Sequence, residues 1–184
     1  MDESFSKRGR KQLEEGDFEQ AGNNFTQASY QSLAHDSIAK ANDHQIGAGL
    51  ELMLRAALAY QRGGHTVRCR NRCEQGILIT KDLQEHVVSD DKRKAVLQEY
   101  IADFHGIGRL EGTDQAYQEA LDWLEEAELE YTISFHSSQI SDTIIEFTLY
   151  LIQFVETKPD NELEIPYDFA GRVTYKRDVI DELY

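Results

Sequence analysis

Apolar residues recur at three- and four-residue spacing along most of the chain, which is the pattern of helices that bury one side. The pattern is clearest in residues 53–60, 96–107 and 116–127, and no segment alternates apolar and polar residues long enough to predict a strand. We therefore predict an all-α fold. The pattern predicts seven main helices, over residues 2–15, 18–36, 44–62, 65–87, 91–111, 114–135 and 138–157. Small polar residues that can cap free backbone N–H groups mark several helix starts, at Asp2, Asp43, Ser89 and Ser138.

A period of 48 residues relates three glycines, Gly16, Gly64 and Gly112, each of which follows a helical stretch. One further period reaches Asp160, beside Pro159, which is another turn signal. Glycine can adopt the left-handed conformation that ends one helix and lets the chain reverse. The spacing therefore predicts consecutive helical hairpins, which must stack because one hairpin cannot bury both of its apolar stripes.

The first unit carries a recognisable motif: Phe5-x-x-Arg8-Gly9, then Gly16-Asp17-Phe18, then Ala21-x-x-x-Phe25-x-x-Ala28. It resembles a tetratricopeptide repeat. The second unit is similar through Met53, Ala57, Tyr60, Gly64, Cys69, Cys73 and Gly76. The third keeps Gly112 but fits the pattern only with a turn about three residues longer.

The 48-residue period exceeds the family's usual period of about 34 residues. The chain is therefore more similar to the longer-helix superhelices of the vesicle-fusion adaptors. The resemblance implies one domain over residues 1–184, with three stacked hairpins in a right-handed superhelix and a seventh helix. A short C-terminal tail or cap would follow over residues 161–184, with one short last element in 173–183.

The chain carries 19 basic and 34 acidic side chains, a formal net charge of −15 at pH 7. Such a charge repels phosphate backbones, which argues against a protein whose main role is to bind nucleic acid. The acidic excess is typical of proteins that work in high salt, and equally of an ordinary acidic surface. The first residues lack the apolar core of a secretory signal, and no apolar run reaches about 18 residues, so we expect a cytoplasmic protein.

Sequence motifs of enzymes and nucleotide sites do not occur: there is no HExxH, P-loop or nucleophile elbow. We therefore expect no enzymatic activity, no catalytic residues, no metal and no cofactor. His65, Cys69 and Cys73 lie on one face of a predicted helix, where two of them could reach one metal ion. The cysteines also occupy packing positions of the repeat, and we predict that they are buried, free thiols. Two basic clusters, residues 7–11 and 68–72, either bind phosphate, an acidic peptide or nucleic acid, or balance nearby carboxylates.

The predicted seventh helix is apolar on nearly every side in residues 144–155, so it must be covered on more than one side. The cover could come from the third hairpin and the tail, through Ile165, Tyr167, Phe169 and Val173. It could also come from a second copy of the chain. We favour the second alternative, a homodimer through Ile144, Phe147, Leu151 and Phe154.

In tetratricopeptide proteins the first helix of each hairpin lines the concave side, so the resemblance places a peptide-binding groove on residues 2–15, 44–62 and 91–111. Residues there that lie away from the packing stripe are our candidate binding residues, Arg10, Leu58, Arg62, His105 and Arg109. Because a guanidinium pairs two-pronged with a carboxylate, the predicted ligand is an acidic or C-terminal peptide. Alternatively, the arginines pair with neighbouring glutamates such as Glu14 and Glu111.

By this resemblance the chain is a non-enzymatic adaptor or regulatory scaffold that binds a protein partner of unknown identity. Two other classes stay open. One is a nucleic-acid-associated or transcriptional regulatory factor, and the other is a small helical enzyme.

Overall fold

The computed structural model describes residues 4–34, 43–127, 139–156, 166 and 168–184. These residues form eight α-helices and contain no strand, which confirms the predicted all-α class. The helices are α1 (Phe5–Glu14), α2 (Phe18–Leu33), α3 (Asp43–Arg62), α4 (Thr66–His86), α5 (Asp91–Ile107), α6 (Thr113–Glu126), α7 (Gln139–Glu156) and α8 (Phe169–Asp181). Helices α1 to α6 pack as three consecutive hairpins, joined where α3 packs on α2 and α5 packs on α4.

The first two hairpins reverse at glycines in the left-handed region, as the sequence predicts. Gly16 has a φ of 80° and Gly64 a φ of 74°. The amide after Gly64 closes the turn, because the His65 N–H donates to the Tyr60 carbonyl oxygen at 2.8 Å. This bond across the end of a helix is the one that a left-handed glycine permits.

The third hairpin turns in a different way. The left-handed residue after α5 is Arg109, with a φ of 45°, whereas Gly112 (φ 81°) is the residue that precedes α6. The connection between α5 and α6 covers residues 108–112, against 15–17 and 63–65 in the first two hairpins. The predicted longer turn is therefore confirmed, with two additional residues rather than three.

Capping side chains mark the starts of α1 and α5. Ser4 and Asp90 each accept a hydrogen bond from the backbone N–H three residues on. Helix α1 therefore begins at Phe5, later than the predicted residue 2. Helix α5 begins at Asp91 as predicted, with Asp90 rather than Ser89 as its cap. At the other end of the third hairpin, α6 stops at Glu126, and most of its predicted extension to residue 135 lies outside the described residues.

Glycines inside helices let neighbouring hairpins approach closely. A Cβ at Gly22 would lie 2.6 Å from the Tyr60 ring, and a Cβ at Gly76 would lie 2.4 Å from the Phe104 ring. Such distances leave no room for a larger residue. The two glycine–aromatic contacts therefore set the spacing between α2 and α3 and between α4 and α5.

The last two helices each run parallel to the first helix of a hairpin. Helix α7 lies along α3 and also packs on α5. Near the start of both helices, a Cβ at Gly47 of α3 would lie 2.0 Å from the Thr143 Oγ1 of α7. Near the end of both helices, Arg62 of α3 donates to the Phe154 carbonyl oxygen of α7 at 3.2 Å. Helix α8 packs on α6, as α3 packs on α2 and α5 on α4, so α8 continues the series of hairpins. The predicted short tail element is thus a helix of 13 residues.

Four charged side chains, none more than 1% exposed, join α8 to α5; we call Glu99, Asp103, Arg172 and Lys176 the ion cluster. Arg172 donates to both Glu99 carboxylate oxygens, at 2.9 and 2.5 Å. The Lys176 ammonium lies 2.8 Å from Glu99 and 2.5 Å from Asp103. Two carboxylates meet two cations, so the formal charges balance, as burial of charge requires.

The pKa values of the two carboxyl groups of the ion cluster are shifted in opposite directions. Burial raises a carboxyl pKa, but at Glu99 the charges of Arg172 and Lys176 outweigh it and lower the pKa to about 2. At Asp103 burial prevails over Lys176, with help from the Glu99 charge, and raises the pKa to about 6. Glu99 is therefore the firmly ionised member, and Asp103 changes its protonation close to neutral pH.

The apolar side of α7 is covered within the chain. The four residues predicted to form a homodimer interface are at most 8% exposed, and α3, α5 and α8 pack against this helix. Of the tail residues named for such a cover, Phe169 and Val173 belong to α8, while Ile165 and Tyr167 lie outside the described residues. A homodimer stays a prediction, and through these residues it would require α7 to leave its place.

No helix in the described ranges is both long enough and apolar enough to cross a membrane.

Candidate peptide-binding site

One side of α3 carries charged residues within an otherwise buried, apolar helix. Glu51 and Arg55, one turn apart and 6% and 9% exposed, form an ion pair, and the exposed Arg62 follows two turns later. This side faces α7. The Arg55 guanidinium carbon lies 4.2 Å from the centre of the Tyr150 ring, and that of Arg62 lies 4.8 Å from the centre of the Phe154 ring. Both contacts have the cation–π geometry.

Tyr150 has a buried hydroxyl without a hydrogen-bond partner in the described part of the chain, and the Nε of Arg55 shares this property. Burial raises the Tyr150 pKa to about 12, although Arg55 and Arg62 act against it. The hydroxyl therefore keeps its proton and is available as a donor. Leaving a buried donor unpaired costs about 1–3 kcal/mol, so two neighbouring unpaired donors mark a place suited to an oxygen acceptor.

Arg10 on α1 adds a third positive charge near this place. Its side chain is exposed, and its charge acts on both Glu51 and Tyr150. We call Arg10, Arg55, Arg62 and Tyr150 the arginine cluster. Glu51 offsets it in part, although burial raises the Glu51 pKa more than Arg55 lowers it. On a chain of net charge −15, the cluster is a local concentration of positive charge.

Arg62 is fixed by aromatic rings and by the end of a helix. Its guanidinium carbon lies 5.7 Å from the centre of the Phe18 ring, in addition to its contact with Phe154. Its bond to the Phe154 carbonyl places a cation at the C-terminus of α7, where the helix dipole favours one. Beside it lies a cleft of about 380 Å³, lined by Gln61, Arg62, Phe154, Val155, Glu182 and Leu183.

The structure thus brings two of the five candidate binding residues, Arg10 and Arg62, to one cluster. Leu58 lies between Arg55 and Arg62 on α3 and has no exposed surface, so it cannot contact a ligand in this conformation. Burial of Leu58 follows from its apolar neighbours, which the sequence assigned to the packing side of the helix.

The remaining two candidates lie elsewhere. His105 is half-buried on α5, and burial together with the charge of Lys81 lowers its pKa. Arg109 lies with its guanidinium carbon 3.6 Å from the centre of the Tyr184 ring. Among the described residues, neither Arg62 nor Arg109 pairs with the neighbouring glutamates considered as the alternative. The part of all five residues in binding stays a prediction.

The basic cluster of residues 68–72 is engaged within the chain, and that of residues 7–11 is engaged in part. In residues 68–72, Arg68 pairs with Glu19 at 2.8 Å and Arg70 pairs with Glu74 at 3.0 Å. In residues 7–11, Lys11 lies 3.8 Å from the next acidic residue along the helix, Glu15. These exposed pairs contribute little to stability, about 0–1 kcal/mol each, and they favour the local balance of charge over phosphate binding.

Cys69 and Cys73 are buried free thiols, as predicted. The Cys69 thiol donates to the Ile107 carbonyl oxygen at 3.5 Å. Burial raises the Cys73 pKa well above its ordinary value, which keeps it protonated and weakly nucleophilic. Within the described ranges, no three His, Cys, Asp or Glu side chains stand close enough together to hold a metal ion.

Sequence reasoning missed Arg55 and Tyr150 because each lies inside an apolar run that was assigned to packing. A signal for Arg55 was present: Glu51 and Arg55 stand one turn apart, with opposite charges, in a segment that is otherwise apolar. A charged pair on the buried side of a helix needs a partner helix with polar atoms. Tyr150 carries no comparable signal, because tyrosine is common in apolar cores.

Comparisons of the chain with protein-family models, with curated proteins and with solved structures found no match.

Proposed function

We propose that the protein is a non-enzymatic interaction module, an adaptor or regulatory scaffold, that binds an acidic segment of a protein partner. In this proposal the three hairpins form a right-handed, tetratricopeptide-like superhelix, and α1, α3 and α5 line its concave side. The arginine cluster is the observation that supports binding there. The charges of three arginines from two helices act on Tyr150, and the Tyr150 hydroxyl and the adjacent Arg55 Nε are buried donors without an acceptor in the described residues.

A carboxylate fits this cluster better than a phosphate does. Glu51 and Glu146 offset two of the three arginine charges, so the formal excess of one positive charge balances a carboxylate but not a doubly charged phosphate. A guanidinium pairs two-pronged with a carboxylate, and the Nε of Arg55 is a buried donor without an acceptor in the described residues. The ion pairs of Arg68 and Arg70 and the net charge of −15 likewise disfavour nucleic acid as the main ligand.

The test is partner capture by the full chain with the charges of the cluster reversed. We expect Arg10→Glu with Arg62→Glu to lose a partner that the wild type retains stoichiometrically, with helical content nearly unchanged. The matched control is Arg70→Glu with Lys92→Glu, which makes the same change of net charge at exposed residues of α4 and α5. It should retain the partner.

Retention of the same partner by the cluster reversal would show that binding lies elsewhere. Loss of the partner in both double variants would show that net charge, rather than this site, governs binding. Co-purification of nucleic acid or of a small molecule instead of a protein would favour the other two functional classes.

A further inference from the structure

We infer that α7 is an internal occupant of the binding groove and that the partner segment is an amphipathic helix which replaces α7, with a carboxylate at the position of Tyr150. By the groove we mean the surface of α3, α5 and α8 on which α7 lies. The inference rests on the proposed function and adds the shape of the partner and the regulation of its access.

The series of hairpins is complete without α7. Helix α8, not α7, packs on α6 and continues the order in which each hairpin follows the last. The ion cluster fixes α8 to α5 through Glu99 and Arg172, and α7 contributes no member to it. A chain from which α7 has moved therefore keeps its three hairpins and the helix that ends the stack.

Helix α7 sits in the groove as peptide helices sit in grooves. Its buried apolar residues include Ile144, Phe147, Leu151 and Phe154, at the spacing i, i+3, i+7 and i+10. Thr148 and Ile152, 0% and 1% exposed, widen the buried side. Its other side includes the exposed residues Glu146, Leu149 and Gln153. One apolar side in a groove with a polar side outward is the helix-in-groove mode of peptide recognition.

With α7 in the groove, two buried hydrogen-bond donors stay without an acceptor in the described residues. The Tyr150 hydroxyl and the Arg55 Nε are buried beside each other's side chains, and both are donors without an acceptor in the described residues. A glutamate at the same helix position would place a carboxylate where the tyrosine ring now lies, over the Arg55 guanidinium. A partner helix with that residue would thus make bonds that α7 cannot make.

An internal occupant competes strongly because it is tethered. Tethering gives it an effective concentration on the order of millimolar, so a free helix displaces it only by binding the groove more tightly. A substitution that weakens the binding of α7 to the groove must therefore raise the apparent affinity of the chain for an added helix. If α7 were a fixed part of the core, the same weakening would damage the groove and lower that affinity.

The experiment uses labelled peptides of residues 139–156 with one common solubilising tail, either unchanged or with Tyr150→Glu, titrated into the full chain. We expect the Tyr150→Glu peptide to bind at least tenfold more tightly than the unchanged peptide. In the chain carrying Phe147→Ala, both peptides should bind at least tenfold more tightly than they bind the wild type. Leu149→Ala, on the exposed side of α7, is the matched control and should change neither affinity.

A second pair guards against failure of Phe147→Ala to fold. In the chain, Gly47→Ala directs a Cβ at the Thr143 hydroxyl of α7, and in the peptide Thr143→Ala removes that hydroxyl. We expect the altered peptide to bind this chain more tightly than it binds the wild type. The inference would be overturned if the unchanged peptide and the Tyr150→Glu peptide bound the wild type with equal affinity. It would also be overturned if neither Phe147→Ala nor Gly47→Ala in the chain raised the affinity for the peptides. If partner capture still depended on Arg10 and Arg62, the proposed function would stand with α7 fixed in place.

Discussion

Helices α7 and α8 are alike in direction and opposite in chemistry. Each runs parallel to the first helix of a hairpin, α7 along α3 and α8 along α5. Helix α8 is fixed by four buried charges, whereas α7 is fixed by apolar anchors and by arginines that lie over its aromatic rings.

The difference bears on how exchangeable each helix is. A buried ion cluster is favourable only with its full set of partners in one register, because removal of one charge leaves another unpaired. An apolar groove accepts other side chains of similar volume with smaller losses. Helix α8 is therefore a fixed element with a single register, and α7 is the element that another helix could imitate.

The largest expected effect comes from breaking the ion cluster at its firmly ionised member. Glu99→Gln leaves Arg172 and Lys176 with Asp103 as the single carboxylate, so we expect the free energy of unfolding to fall by about 3–5 kcal/mol. Chemical denaturation of the full chain measures this loss. The exposed Glu85→Gln is the control, with an expected change below about 0.5 kcal/mol. A loss below about 1 kcal/mol at Glu99 would mean that the cluster does not fix α8.

The corresponding change in α7 should act more locally. Phe147 is fully buried, and truncation of such a residue costs about 3 kcal/mol or more, which is about a hundredfold in an opening equilibrium. In Phe147→Ala we expect amide hydrogen exchange in α7 to accelerate about a hundredfold while α8 keeps its protection. Equal acceleration in both helices would remove the distinction between them.

The sequence predicted much of the fold, because a few residue types determine it. Glycine at a 48-residue period predicted the two turns at Gly16 and Gly64, and the apolar stripes predicted all seven of the first helices. The burial of Arg172 and Lys176 in α8 was not predicted, because charged side chains are ordinarily exposed and only the fold shows that these two are buried. Two cations one turn apart in α8, and two carboxylates one turn apart in the apolar α5, were the available signal.

The candidate site was predictable only in part. Arg10 and Arg62 could be placed on first helices by their spacing, and the structure brings them to one cluster. That Tyr150 packs on Arg55 in the same cluster could not be predicted, because this depends on α7 lying along α3 instead of continuing the series of hairpins. Pairing between distant helices has no signature in local periodicity.

Protonation of Asp103 provides a smaller effect that is specific to α8. Its pKa is raised from 3.8 to about 6, so its contribution favours the folded state at low pH and is lost as the pH rises through 6. Glu99, with a pKa of about 2, stays ionised in this range. Between pH 7 and pH 5 the contribution of Asp103 grows by about 1.4 kcal/mol.

We therefore expect the free energy of unfolding of the wild type to rise more between pH 7 and pH 5 than that of Asp103→Asn, by about that amount. Chemical denaturation at the two pH values measures the difference between the chains. The comparison cancels the general gain from lower net charge, which both chains share. Identical pH dependences would show that Asp103 has an ordinary pKa.

The smallest expected effect concerns the unpaired hydroxyl of Tyr150 in α7. Tyr150→Phe removes a buried donor that has no acceptor among the described residues, so we expect the chain to gain up to about 1 kcal/mol of stability. Tyr117→Phe makes the same chemical change where the hydroxyl donates to Asp103 at 3.3 Å, and there we expect a loss of about 1–3 kcal/mol. Thermal or chemical unfolding of the two variants measures how the loss of a tyrosine hydroxyl changes stability in each of the two environments. Stability changes of opposite sign would confirm that the Tyr150 hydroxyl has no acceptor. A loss of stability in both variants would mean that this hydroxyl already has a hydrogen-bond partner. That result would remove the reason for a carboxylate at the position of Tyr150.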